Sequence, residues 1–153
     1  MLQEKQTPVF INLMAIGHID GVPDYPIQFM TKGILHYQDP NTAVLTYTET
    51  QPDDETGGLT TSDITLSMKD KQIIMQRTGE FSNTMVFVRG MRYEGAYHTP
   101  FGDIPLAIHS RRVDCSIGEQ KGAIHLKYAL DVQGSHPSIH ELHLEYVSDA
   151  PQS

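Results

Sequence analysis

Thr60-Thr61-Ser62-Asp63-Ile64-Thr65-Leu66-Ser67-Met68-Lys69 decides the fold. Ile64, Leu66 and Met68 fall on one side of a period of two, and Asp63, Thr65 and Ser67 fall on the other. Successive side chains of a strand point to opposite faces, so this stretch builds a strand with one dry and one wet side. A helix would need its apolar residues three and four apart, and no window of about 11 residues anywhere in the chain carries such a stripe.

The same alternation recurs on both sides of this stretch, cut by turn residues. Before it, strands are expected at about Pro8 to Ile19, Tyr25 to Tyr37 and Ala43 to Glu49, parted by Asp20-Gly21 with Pro23 and by Asp39-Pro40-Asn41. An acidic loop, expected to be exposed and mobile, spans Gln51 to Gly58. After it come Ile73 to Thr78, Thr84 to Arg89, Tyr93 to Thr99, Asp103 to Val113, Gly122 to Val132 and Ser138 to Val147. Thr99-Pro100-Phe101-Gly102 has the Pro and Gly placement of a type I turn.

Ten strands at hairpin spacing, with no helix to act as a crossover, give an antiparallel meander. Its apolar face must be covered. An up-and-down β-barrel covers that face and removes the exposed edges, whereas a sandwich needs Greek-key connections for which only the Gln51 to Gly58 loop has the length. The chain is therefore expected to be all-β, a single domain over residues 1–153 with an ordered core at about 8–148.

The 153 residues hold 11 Lys and Arg against 19 Asp and Glu, a net charge of −8. That sign disfavours nucleic acid and anionic membrane as partners. The acidity is concentrated in residues 1–68, where Lys5 and Lys32 face nine acids. A lone Cys115 and the lack of a signal-like segment predict a cytoplasmic protein, and no apolar run reaches membrane-helix length.

Parity selects the polar side chains that would share the barrel interior. Glu49 lies on the face of Leu45 and Tyr47, and Arg77 lies on the face of Ile73 and Met75. A carboxylate and a guanidinium aimed inward must either pair with each other or hold a polar ligand. Pairing is the commoner outcome. In the ligand-holding alternative, Arg77 clamps an anion, with hydroxyls from Tyr47, Tyr97 and Thr99 orienting it.

Eight histidines raise the question of a metal. His140 and His143 are three apart, which on a strand places them on opposite faces, so no metal site and no cofactor are expected. The chain has no Gly-x-Ser-x-Gly and no P-loop, so no catalytic residue is assigned.

Tyr47-Thr48-Glu49, Arg77-Thr78-Gly79, Phe87, the run Tyr97-His98-Thr99-Pro100-Phe101-Gly102-Asp103-Ile104-Pro105-Leu106, and Tyr128-Ala129-Leu130 occur in that order. Together they resemble the bacterial YwiB-like family, the DUF1934 proteins, along roughly the whole chain. The resemblance implies a calycin-like barrel related in shape to lipocalins, and it carries no activity over. The expected function is non-catalytic binding of a small amphipathic or anionic molecule inside the barrel, at Tyr47, Glu49, Arg77, Tyr97 and Thr99. The first alternative is a protein-interaction module with a side-chain-filled interior, and the second is a small enzyme using Glu49 as general base.

Overall fold

Ten strands follow one another in a computed structural model of the chain, which describes residues 5–18, 25–52, 57–79, 82–133 and 137–149. They are β1 (Lys5–His18), β2 (Tyr25–Asp39), β3 (Thr42–Pro52), β4 (Leu59–Lys69), β5 (Gln72–Thr78), β6 (Asn83–Val88), β7 (Arg92–Thr99), β8 (Gly102–Ser116), β9 (Lys121–Val132) and β10 (Ser138–Ser148). No helix occurs among the described residues, and hence none long and apolar enough to cross a membrane.

The strands form one sheet in the order β6-β5-β4-β3-β2-β1-β10-β9-β8-β7, every neighbour antiparallel. All junctions but one join strands consecutive in sequence. The exception is β1 with β10, in register from Val9 opposite Ser148 to His18 opposite Ile139. This order leaves β6 and β7 as the two edges, and the sheet curls until they meet. Ser82 and His98 exchange backbone hydrogen bonds of 3.0 and 2.8 Å. At the other end of the barrel the β6–β7 turn is tied to β8 instead: Gly90 N–H donates to the Ser110 carbonyl at 2.8 Å, and Ser110 N–H donates to the Met91 carbonyl at 3.2 Å, extending the β7–β8 pairing. Beyond the Ser82–His98 bridge, β6 and β7 form no ladder among the described residues, so the barrel is nearly closed.

The strands depart from their expected bounds for local reasons. β8 reaches Ser116 because a bulge between Ser110 and Arg112 takes up one extra residue. Leu106, Ile108 and Ser110 are buried on one side of it and Val113 on the other, so the inward parity switches and Arg111 and Arg112 both stay exposed. The acidic loop begins later than expected: Gln51 and Pro52 still pair with Thr60 and Leu59. Residues 53–56, Ile19, the Asp20-Gly21 turn with Pro23, and residues 134–136 lie outside the described residues.

The interior is unequal along the barrel axis. Toward the Asp39–Asn41 and Lys69–Lys71 turns it is filled by Val9, Leu35, Leu45, Leu66, Met68, Ile73, Phe87, Ile108, Leu126 and Leu144, all essentially inaccessible. Tyr146 closes that end. Its hydroxyl donates to the Gly118 carbonyl at 2.7 Å and accepts from the Gly118 N–H at 3.0 Å. Toward the opposite end the inward side chains of Leu13, Phe29, Tyr97, Tyr128, Leu130 and His140 are only partly buried. There β2 separates from β3, since their ladder stops at Gly33 opposite Tyr47 while β2 continues along β1 to Tyr25.

At the β7–β8 hairpin, Thr99 faces Gly102 across Pro100 and Phe101. Gly102 has φ of 127°, which L side chains rarely adopt, and a Cβ there would meet open space, so only the backbone conformation demands glycine. Gly102→Val is expected to lower stability by about 1 kcal/mol or more, read as a denaturation-midpoint shift with unchanged slope. A wild-type midpoint would show that the turn relaxes at no cost.

Candidate functional site

Six strands contribute to one inward row that runs from the filled core toward the partly open end. Val9 faces Gly33, Gly33 faces Tyr47, Tyr47 faces Ile64, Ile64 faces Arg77, and Arg77 faces Asn83. Residues directly opposite in a ladder share a face, so the parity that buries Val9 and Ile64 also aims Tyr47, Arg77 and Asn83 inward. Glu49, two residues along β3, meets Arg77 with Nη1 to Oε2 at 3.0 Å. β4 lies between them, and its inward residue opposite Glu49 is the small, buried Ser62. The two side chains retain 25% and 21% of their exposure, so the pair sits at the margin of the solvent rather than deep in the core.

Phenols surround this pair. Burial raises the Tyr47 phenol well above its ordinary pKa, the Glu49 carboxylate adds to the rise, and Arg77 opposes it. Burial likewise pushes Tyr128 up to about 12, with Tyr97 adding to the rise and Arg77 opposing it. One guanidinium therefore acts on two phenols from strands on opposite walls, and both stay neutral donors at physiological pH. Tyr128 packs against Phe87 at 4.9 Å between ring centroids and stacks on His140 at 5.5 Å. A contact of 2.7 Å joins the Ser138 hydroxyl to His140 Nε2.

Asn83 is the anomaly in this arrangement. Its side chain is 4% exposed, and neither Oδ1 nor Nδ2 has a hydrogen-bond partner among the described residues. Leaving a buried amide unpaired costs about 1–3 kcal/mol. Folded proteins rarely keep such groups without a use for them.

Residues 13–144 match the domain of unknown function DUF1934. The chain belongs to that family. Over 143 residues this DUF1934 chain is 22% identical to the uncharacterized beta-barrel protein YwiB of Bacillus subtilis (strain 168), covering 94% of its own length and 95% of the relative's. The crystal structure of the Bacillus subtilis ywiB protein superposes with a TM-score of 0.79 at 21% identity, over 95% of this chain and 94% of that one. The likeness establishes the β-barrel and leaves the function open.

Of the five residues expected in the barrel interior, Tyr47, Glu49, Arg77 and Tyr97 lie at this end of the barrel. Thr99 does not contribute its hydroxyl. Its Oγ1 donates to the Gly102 carbonyl at 2.7 Å and accepts from Phe101 N–H at 3.1 Å, so the β7–β8 turn engages it on both sides. In this structure the Thr99 hydroxyl thus serves the turn. Asn83 was not singled out from the sequence because the strand was expected to start at Thr84. The available signal was parity, since Asn83 continues the face of Met85 and Phe87. The reading of Glu49 as a general base loses its motivation, because its carboxylate is paired with Arg77.

Proposed function

We propose that this DUF1934 barrel binds a small anionic or amphipathic molecule, non-catalytically, at its partly open polar end. Arg77 supplies the cation, Asn83 a donor and an acceptor, and Tyr47 and Tyr97 the orienting hydroxyls, while Glu49 holds Arg77 in place. Leu13, Phe29 and Leu130 offer apolar surface alongside, as an amphipathic ligand requires. The observation that carries the reading is the buried amide of Asn83, without a hydrogen-bond partner among the described residues, beside a guanidinium. A calycin-like use of the barrel and a cytoplasmic location belong to the same proposal. The location accords with the lone Cys115, whose half-buried thiol is pushed up to about 11 by burial.

The experiment is native mass spectrometry of protein purified from its own host, with Asn83→Leu and Arg77→Met prepared alongside. The wild type is expected to carry a retained mass that both variants lose. Asn83→Leu is also expected to stabilise the emptied barrel by about 1 kcal/mol, because an apolar side chain of similar size removes the unpaired amide. A wild type with no retained mass, or a mass that persists in Asn83→Leu, would refute the proposal.

One observation favours a protein-interaction module instead. A groove of about 530 Å³ on the outside of the barrel is lined in part by Phe10, Met30 and Val147, all exposed apolar side chains. An empty wild-type barrel in the same experiment would shift the balance to that reading.

A further inference from the structure

The outer wall of the barrel carries a second constellation, unrelated to the interior. His125 of β9 faces His143 of β10 in register, and both point away from the core because Ile124, Leu126, Leu142 and Leu144 point into it. Their rings lie 3.8 Å apart between centroids at 30°. Glu141, two residues before His143 and hence on the same face, places Oε2 3.6 Å from His143 Nε2. One ligand atom from each of His125, Glu141 and His143 lies within 4.8 Å of the others, and all three residues are half-buried. His125 Nε2 is itself buried and has no hydrogen-bond partner among the described residues.

We propose that His125, Glu141 and His143 form a three-ligand site for a divalent transition-metal ion of the zinc class. Two imidazole nitrogens and one carboxylate oxygen make a borderline donor set that suits zinc, nickel or cobalt and disfavours calcium or magnesium, which take oxygen ligands. Rigid strands fix the two imidazoles opposite each other, so little ordering remains when the ion enters. A hollow of about 310 Å³, lined by Asp114 and Glu145 as well as by the two histidines, gives access from solvent, with Asp114 itself paired to Arg112. Lys127, with Nζ 3.6 Å from Glu141 Oε1, occupies one carboxylate oxygen and leaves the other turned to His143. The expectation that no metal binds came from the spacing of His140 and His143 along β10. That spacing does separate those two, and the partner that matters comes from β9.

Untagged protein freed of metal by a chelator is titrated with Co²⁺, followed by visible absorption, and with Zn²⁺, followed by calorimetry. One ion per chain is expected, with His125→Ala and His143→Ala each weakening binding at least about tenfold and Glu141→Gln several-fold. His109→Ala, which removes an exposed histidine of β8, should bind as wild type does. Zn²⁺ should also shift the ring resonances of His125 and His143 in the unmutated protein, a readout independent of how the variants fold. No saturable binding up to about millimolar ion, undiminished binding in both His→Ala variants, or unmoved ring resonances would each overturn the proposal.

Discussion

Phe87→Ala should lower the stability of the barrel by about 3–5 kcal/mol, the range for deleting a fully buried aromatic ring. Phe87 is wholly inaccessible and projects inward from β6, one of the two strands that flank the unladdered seam. Most core residues have a hydrogen-bonded strand on each side to hold the wall when a side chain is cut back. Among the described residues β6 has a laddered partner on one side only, in β5. Its position is therefore secured largely by Phe87 packing against Tyr128 and the core around it. A fall in Tm of roughly 10 °C or more is expected for a domain of this size. A Tm within about 2 °C of wild type would mean that neighbouring side chains collapse into the space and that the seam does not depend on this ring.

Gly33→Val should be comparably damaging for a different reason. A Cβ at Gly33 would lie 2.5 Å from the Thr46 carbonyl oxygen, 2.7 Å from Ile11 Cδ1 and 3.2 Å from Tyr47 Cβ. The Ile11 methyl can rotate away, but the carbonyl belongs to β3 and cannot move without prying β3 from β2 at the last pair of their ladder. A cost of about 3 kcal/mol or more is expected, at the upper end of what overpacking produces. Because Gly33 faces Tyr47, the loss should also reach the polar end of the barrel and weaken retention of any ligand held there. Equilibrium urea unfolding tests the first part, and an unchanged midpoint would contradict it.

The alternation in Thr60–Lys69 carried the fold because one-sided burial writes a period of two directly into the residues, and β4 indeed buries Ser62, Ile64, Leu66 and Met68. Parity also brought Glu49 and Arg77 to the same interior, where they meet. Features that depend on how one strand aligns with another were not legible. His125 and His143 oppose each other only because the β9–β10 hairpin centres near residue 134, and a shift of two residues would part them while preserving every apolar face. The bulge at Arg111 was equally hidden. Two adjacent arginines favour exposure of both, but nothing in the local pattern says that the strand resumes with its faces exchanged. The hydroxyl of Thr99 was read by parity alone, whereas the turn immediately following competes for it.

The junction between β1 and β10 bears on how the chain comes off the ribosome. Strands β1 to β6 can zip up by successive hairpins as they emerge, each needing only its predecessor. The free side of β1 waits for β10, which is made almost a full chain length later. Until then the nascent protein holds two ribbons, β1–β6 and β7–β9, with the apolar interior uncovered and β1 offering an unpaired row of amides and carbonyls to any other strand nearby. Closure is thus a single late event rather than a gradual one. A chain arrested before Ser138 exposes the bare sides of both β1 and β9 together with the apolar faces they would enclose.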